Sequence, residues 1–535
     1  MTHGMVCAPQ PEAVEAGVLA LKAGGNAVDA AIACALVQTV VDPQMSGIAG
    51  FGSLQLYLPK RGVHHFIDFH GRAPAAATPD MWQDLIRSET EDGFGFVLDG
   101  NVNDLGYQAS TTPGSLRAFH EALSRYGALP WKDVLQPAID HAENGVLIRP
   151  HMYDFWTRRE ESGLADHVKR LRFSPSGRRI YFHKDGTLRR AGEMLRNADM
   201  ARTLARVAAD GPEVFYEGDI AEEIAADMAR GGGLLARGDL KDYRTEDQEP
   251  LWGGYRGHRI STNQPPGGGI MVLEMLHILE NFDLANLGHN TPAYIRVVAE
   301  AMKRATVDKD RFVGDPRFVE VPVARLLDKA YANEQAEAIE HGEVMHVPRL
   351  RRPPESKDTT HVSVVDGDGN VVSMTHSLGM SSGVITEGLG FMYNNCMSVF
   401  DPRPGRTGSI APGKARFTSM APTIIFKDNE PYIALGAPGA TYIAMGVLQV
   451  ILNVIDFGMS MSDAVSAPRF CATSDVIEVV NRVPHYVTTE LESMGYEIRR
   501  SHRSYHFAGV HAVMISNGRW SGGADPGRDG MALEV

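Results

Sequence analysis

The residues from Thr359 to Ser377 leave this chain the fewest options. Thr359-Thr360-His361-Val362-Ser363-Val364-Val365 alternates β-branched and polar residues, Asp366-Gly367-Asp368-Gly369-Asn370 supplies turn chemistry, and Val371-Val372-Ser373-Met374-Thr375-His376-Ser377 runs back. This pattern predicts a β-hairpin with Thr359 at its open end. The polar, proline-containing residues before it, through Glu355-Ser356-Lys357-Asp358, read as a linker. Two readings of Thr359 follow. In the plain one Thr359-Thr360 starts a strand, since threonine favours strands anyway. In the other the bond between Asp358 and Thr359 is cut, and Thr359 holds a hydroxyl and an α-amine whose unperturbed pKa is about 7.7–8.0. One residue then serves as nucleophile and base, and the same hydroxyl makes the cut by attacking the Asp358 carbonyl, given a strained or polarised peptide.

Other segments weigh between these readings. His3-Gly4-Met5-Val6, Glu15-Ala16-Gly17, Gly24-Gly25-Asn26-Ala27-Val28-Asp29-Ala30-Ala31 and Ser46-Gly47-Ile48-Ala49-Gly50-Phe51-Gly52 lie near the amino end. Ser419-Met420-Ala421-Pro422-Thr423, Gly436-Ala437-Pro438-Gly439-Ala440 and Ala467-Pro468-Arg469-Phe470 follow the hairpin. In order, and over nearly the whole chain, these segments and the Thr-Thr-His-x-Ser-Val-Val-Asp run resemble the γ-glutamyltransferase family of N-terminal-nucleophile hydrolases. The resemblance implies an α+β fold, a four-layer αββα sandwich. It implies a large subunit, 1–358, and a small subunit, 359–535, cut from one precursor and sharing one domain, with a dimer of such heterodimers as a further assembly. Neither a cofactor nor a metal is implied.

Residue by residue, the resemblance makes Thr359 nucleophile and general base, with Ser377 in place of a second threonine hydroxyl near the amine. Gly439 and Ala440 stand where two glycines offer backbone N–H groups to an oxyanion. Alanine keeps that donor provided its φ is not positive. Thr418 and Ser419 replace a serine pair that binds the substrate carboxylate. His70 stands where an arginine grips that carboxylate. On an extended chain, His70 and Arg72 share a face by period two, which displaces the guanidinium by about 6–7 Å. Arg72 as a carboxylate ligand and Arg72 as a salt-bridge partner remain side by side. Gly379, Cys396 and Val399 replace the asparagine, glutamine and aspartate that hold the γ-glutamyl group. An ammonium taken out of water needs acceptors, and valine offers none. The catalytic parts are kept while the glutamyl pocket is rebuilt.

Composition excludes other classes. The 535-residue chain is 43% hydrophobic, enough for a large core, and length alone predicts several domains. Its formal charge of −14 with no basic block argues against nucleic acid as a partner. Cys7, Cys34, Cys396 and Cys471 are far apart and suggest neither a zinc site nor a disulfide framework. Cys396 reads as a small buried hydrophobe rather than a nucleophile. The opening Met1-Thr2-His3-Gly4 has no signal-peptide character, and charged or polar residues interrupt every apolar stretch, so a cytoplasmic protein without membrane contact is expected.

Along the chain, Glu12 to Val41 predicts two helices joined at Gly24-Gly25, the second capped by Asn26 and very apolar. Gly47 to Gly52 precedes a strand, whereas a dinucleotide loop follows one. Val63 to Phe69 reads as a strand, and Leu116 to Val347 as a helical region. The glycine-rich Asn263 to Gly269 lacks the ending of a phosphate loop, and is expected to let backbone pack close to the nucleophile strand. Asp366 to Asn370 is no calcium loop, because Ser377 stands where a bidentate glutamate belongs. Strands over Ile424–Phe426 and Tyr432–Leu435 precede helices over Gly439–Asp456 and Ser460–Ala467.

The expected activity is hydrolysis of a small amide bearing a carboxylate, through an acyl-enzyme on Thr359. Within the family, oxamate amidohydrolases and cephalosporin-type acylases are similar in these respects. The loop from Phe400 to Phe417 offers Arg403, Arg406, Lys414 and Arg416 as cations for such a carboxylate, and a basic loop that is simply solvated is the reading beside it. Two alternatives stand beside this: a γ-glutamyltransferase or glutathione hydrolase using different contacts, and an uncut relative that only binds a ligand.

Overall fold

The computed structural model describes residues 2–90, 95–159, 163–347 and 359–535. Asp358, on one side of the expected cut, lies outside them. The elements of the central sandwich are, in chain order, β1 (Gly4–Ala8), α1 (Pro11–Lys22), α2 (Ala27–Val41), β2 (Phe51–Leu58), β3 (Val63–Phe69), β4 (Glu246–Gln248), β5 (Leu251–Tyr255), β6 (His258–Thr262), α3 (Gly269–Leu279), α4 (Pro292–Phe312), β7 (Thr360–Asp366), β8 (Val371–Ser377), β9 (Thr423–Lys427), β10 (Glu430–Gly436), α5 (Ile443–Ile455), β11 (His511–Ser516), β12 (Arg519–Ala524) and β13 (Met531–Glu534).

The predicted hairpin forms as β7 and β8, paired from Thr360 opposite His376 to Val365 opposite Val371. Its turn closes on one side chain. Asp366 Oδ1 accepts from the amides of Asp368 at 2.9 Å and Asn370 at 3.1 Å, and Oδ2 accepts from the Ala27 amide at the start of α2 at 2.8 Å. That carboxylate is used by backbone donors, which ties the turn to the helix layer.

The hairpin lies inside a seven-stranded antiparallel sheet of order β13-β1-β7-β8-β2-β3-β4, and a six-stranded antiparallel sheet of order β12-β11-β10-β9-β6-β5 faces it. Alternation along β7 divides its side chains. Val362 and Val364 enter the core shared with α1 and α2, while Val365 joins Val371, Ile424, Phe426 and Ala434 between the sheets. Ile425, Ile433 and Leu435 pack under α3, α4 and α5. The order is therefore helix, sheet, sheet, helix: the four-layer αββα sandwich.

Between the sheets the packing is partly polar. The His361 ring bonds Thr375 Oγ1 at 2.8 Å and Ser363 Oγ at 2.9 Å, and Ser373 Oγ donates to the Leu435 carbonyl at 3.0 Å. A Cβ at Gly436 would stand 2.3 Å from that imidazole, so the sheets meet this closely only because position 436 is glycine.

Helix α2 carries the Asn26 cap expected for it, the side chain accepting from the amides of Val28 and Asp29, and it is buried on every face. The span 116–347, expected to be helical, also contributes β4, β5 and β6. These strands are three to five residues long, and Gly253-Gly254 interrupts the alternation that would announce β5. The glycine-rich segment before α3 abuts Thr418–Met420 rather than the nucleophile strand. The Gly268 amide donates to the Met420 carbonyl at 2.9 Å, and a Cβ on Gly268 would fall 2.4 Å from the Ser419 carbonyl oxygen. All four cysteines are buried and unbridged. Among the described residues no helix is long and apolar enough to cross a membrane, and no group of three or more His, Cys, Asp and Glu is placed to hold a metal ion.

Candidate active site

Period two on β7 puts Thr359 on the side of His361 and Ser363, at the end of the space between the sheets. Thr360 points the other way, where its hydroxyl meets Gln38 Nε2 at 2.8 Å and Gln10 Oε1 at 3.2 Å. The hairpin register brings Ser377 across from Thr359. Thr359 Oγ1 lies 3.2 Å from Ser377 Oγ, which also accepts from the Gly379 amide at 2.8 Å. The Thr359 carbonyl accepts from Arg528 at 3.4 Å. Thr359 itself is 3% exposed. Were the bond before Thr359 cut, a hydroxyl so held would stand beside its own α-amine, the arrangement of an N-terminal nucleophile with a built-in base.

The turn that faces this hydroxyl follows β10. Gly439 has φ +140° and Ala440 φ +48°, and Ala440 opens the short turn that leads into α5. The proviso attached to Ala440 is therefore not met: its backbone lies in the left-handed region, at a cost of about 1–2 kcal/mol for an alanine. A wall stands close behind the neighbouring Gly439. A Cβ on Gly439 would stand 2.7 Å from Ala508 Cα; Phe507 and Ala508 both have positive φ, and the Ala508 carbonyl accepts from Arg469 at 2.9 Å. Arg469 is buried and paired with Asp525. Two amides at the entry to a helix are suited to a developing oxyanion.

A small cleft joins these parts, lined by Thr359, Ser377, Gly379, Thr418 and Ala440 together with Phe51, Val399 and Arg416. Arg416 is the one charged residue among its described lining, and no carboxylate borders it there. The guanidinium lies 4.7 Å from the centre of the Phe51 ring and donates to the Phe417 carbonyl at 2.7 Å. Desolvation strengthens the attraction of such a cation for an anionic group. Sequence reasoning named Arg416 only as one loop cation of four. A period-two signal was present, since Arg416, Thr418 and Met420 alternate and all three line the cleft.

The other expected residues are placed elsewhere. His70 is buried, its Nδ1 2.6 Å from Asp68 Oδ2, and it does not border the cleft. Burial pushes the Asp68 carboxyl up, but the His70 ring and amide outweigh that and hold it below the usual range. Arg72 pairs with Glu246 at 2.8 Å and lies 3.6 Å from Asp315, the salt-bridge arrangement of the two weighed. Ser419 packs against Gly268 outside the cleft lining, and the Cys396 thiol sits behind Arg416, 3.8 Å from Nη2. Burial raises that thiol's pKa, only partly opposed by Arg416, which disfavours a thiolate. Arg403 is paired with Asp401, Lys414 donates to the carbonyls of Thr407 and Ser409, and Arg406 is exposed. Gly379 has φ +74°, and a Cβ there would stand 2.4 Å from Asn395 Oδ1, so Asn395 occupies the space a side chain at 379 would need.

Comparisons with known proteins agree with this geometry. The family model described as Gamma-glutamyltranspeptidase matches residues 13–535. The Acylase ACY 1 proenzyme of Pseudomonas sp. (strain V22) is 38% identical over 540 residues, covering 100% of this chain and 94% of its own. The Glutathione hydrolase proenzyme of Escherichia coli (strain K12) is 36% identical over 485 residues, covering 88% and 80%. The crystal structure of cephalosporin acylase from Bacillus halodurans superposes with a TM-score of 0.87 at 30% identity, covering 99% of this chain and 96% of that one.

Proposed function

The chain belongs to the gamma-glutamyltranspeptidase family and is an N-terminal-nucleophile amidohydrolase, and from this premise we propose that its substrate is an amide whose acyl part carries a carboxylate but no α-amine. Arg416 carries the proposal: it is a buried cation in a cleft whose described lining holds no acid to receive an ammonium group. Thr418 adds a hydroxyl beside it. An acylase and a cephalosporin acylase among the similar proteins support the same direction.

In this reading the bond between Asp358 and Thr359 is cut, leaving residues 1–358 and 359–535 in one domain. The Thr359 hydroxyl adds to the substrate carbonyl while its α-amine takes the proton, and the amides of Gly439 and Ala440 receive the oxyanion. The C–N bond then breaks, the proton passes to the leaving amine, and water repeats the sequence on the ester to release the acid. Ser377, held by the Gly379 amide, orients the attacking hydroxyl. Pairing of two such heterodimers belongs to the same proposal, and sedimentation of the cut enzyme checks it.

Glutaryl-p-nitroanilide and γ-glutamyl-p-nitroanilide differ by one α-amine, so their kcat/KM ratio tests the reading. We expect the glutaryl compound to be favoured on the order of 10²-fold, the scale of leaving a charged group without its partner in a desolvated site. Equal turnover, or preference for the γ-glutamyl compound, sinks the proposal in favour of a γ-glutamyltransferase or glutathione hydrolase. Ammonia release from oxamate marks the smallest substrate the cleft accepts.

A further inference from the structure

Strand β7 loses its neighbour just where the nucleophile begins. β1 pairs with it from Gly4 opposite Asp366 to Cys7 opposite Ser363. Carrying that register on would set Pro9 opposite His361 and Pro11 opposite Thr359, and neither proline has an N–H to give. The chain turns away instead into α1, which starts at Pro11. In an antiparallel pair the N–H and C=O of one residue face the same neighbour, so the carbonyls of His361 and Thr359 both face the edge that β1 has left. Side chains serve them there: Gln38 Nε2 donates to the His361 carbonyl at 3.2 Å, and Arg528 Nη1 to the Thr359 carbonyl at 3.4 Å.

The first donor is neutral and the second is charged. Arg528 lies in the turn between β12 and β13, which closes on Asp525: the Arg528 amide donates to the Asp525 carbonyl at 3.3 Å and the Gly527 amide to Asp525 Oδ1 at 2.7 Å. Asp42, buried at the end of α2, stands 3.9 Å from the guanidinium. It also accepts from Gln10 at 2.8 Å and Gln44 at 2.6 Å. Burial pushes the Asp42 carboxyl up, but His151, Arg528 and Gln10 outweigh that and hold it below the usual range. Asp42 is thus an anion that keeps the guanidinium in place while sharing its charge with other donors.

The Thr359 α-nitrogen is three bonds from the carbonyl oxygen that Arg528 holds and faces the same edge, so it lies within about 7 Å of the guanidinium. Around it, Arg416 in the cleft lining adds a second positive charge, and Arg469 and Asp525 are paired with each other. The rings of His361, His376 and His511 are held neutral, by burial first. We propose, taking Thr359 as the N-terminal nucleophile, that Arg528 is a positioning residue whose charge keeps the freed α-amine in the neutral form that accepts the hydroxyl proton. The equivalent carbonyl two residues on is served by an amide, so hydrogen bonding alone does not call for a cation here. A like charge close to an amine disfavours its protonation.

The test measures kcat/KM for glutaryl-p-nitroanilide from pH 5 to 10 on the cut enzyme, as wild type, Arg528→Gln and Arg528→Lys. The acid limb of this profile reports the base of the free enzyme. Removing the like charge lets the amine hold its proton to higher pH. The Arg528→Gln limb should therefore move up by about one unit, with activity about tenfold down on the limb and within about threefold of wild type at pH 10. Arg528→Lys keeps the charge and should leave the limb in place. Lost packing or a lost hydrogen bond lowers activity by one factor at every pH, so recovery at high pH separates the charge from structural damage. A Gln profile parallel to wild type, or a Lys limb shifted as far as the Gln limb, overturns the proposal. An Arg528→Gln precursor that stays whole beside a cut wild type does so too, because the cut precedes the amine. A wild-type chain that is never cut, seen by intact mass before any profile is taken, defeats the reading of Thr359 itself and this proposal with it.

Discussion

The two ends of the Thr359 cleft are built from different materials. At the catalytic end the working groups are positioned by backbone: hairpin register sets Ser377 opposite Thr359, the Gly379 amide holds Ser377, and the turn at Gly439 and Ala440 presents amides. At the acyl end they are side chains, with Arg416 over Phe51, Thr418 on the same face, and Gly379 and Val399 contributing no polar side chain. A backbone donor survives substitution so long as the local dihedrals do, whereas a side-chain contact disappears with one codon. The acyl end can thus change its ligand while the chemistry at the other end stays in place.

The largest expected effect falls at the catalytic end. Thr359→Ala removes the hydroxyl that both cuts the precursor and forms the acyl-enzyme, so intact-mass spectrometry should show one full-length chain, with turnover reduced by about 10³-fold or more. Wild type should show pieces meeting between residues 358 and 359. A wild-type chain that stays whole on long incubation would leave the catalytic end without its base and erase the contrast.

Next comes Arg416→Gln. If the acyl end only binds, KM for a carboxylate-bearing amide should rise about 10- to 100-fold, the scale of a desolvated charge-assisted contact, with kcat changed much less. The γ-glutamyl substrate should be affected less than the glutaryl one. A kcat loss as large as the KM rise would mean that Arg416 acts on the transition state, and the two ends would no longer be separable.

Gly379→Ala tests the boundary, because this residue belongs to both ends. Its amide holds Ser377 while its missing side chain leaves room for Asn395. At φ +74° an alanine costs about 1–2 kcal/mol, before its clash with Asn395 is counted. A lower Tm together with a fall in kcat is expected. A raised KM alone would put the residue wholly at the acyl end.

How much of this was legible differs between the ends for the same reason. The hairpin follows from alternation and turn residues, which are local, so it was readable; the places of Ser377 and of the turn at Gly439 and Ala440 came from the family resemblance. Arg72 and Arg416 were not separable in sequence, because their places depend on the fold: Arg72 pairs with Glu246 and lies near Asp315, both from distant segments, whereas Arg416 lines the cleft. The positive φ of Ala440 was equally hidden, since no local pattern announces it, and so was the approach of Ala508, from across the fold, to its neighbour Gly439. Strands β4 to β6 escaped because short strands with paired glycines carry almost no periodic signal.

A smaller effect concerns the helix layer that packs on the six-stranded sheet. Glu274 on α3 is buried, and burial first, then the neighbouring Asp308 on α4, raises its pKa well above the ordinary carboxyl value. Tyr331 donates to Asp308 at 2.5 Å. A group whose pKa is raised on folding stabilises below its unfolded value of about 4.3, and that contribution is lost as pH rises toward the folded value. Glu274→Gln, neutral at every pH, should therefore gain in Tm over wild type as pH rises from 5 to 9. A gap independent of pH would mean that Glu274 keeps its ordinary titration.

The smallest effect should come from Ala440→Gly. Glycine relieves the positive φ but gains freedom in the unfolded chain, so the net change in stability is within about 1 kcal/mol. If position 440 serves through its amide alone, kcat on the glutaryl substrate should stay within about twofold, since removal of one oxyanion donor costs about 10²–10³ and this change removes none. The Ala440 methyl also borders the cleft, so KM is the sensitive readout. A kcat loss of about tenfold or more with Tm unchanged would show that the side chain, and not only the backbone, sets the catalytic end, and the division between the two ends would have to be redrawn at this residue.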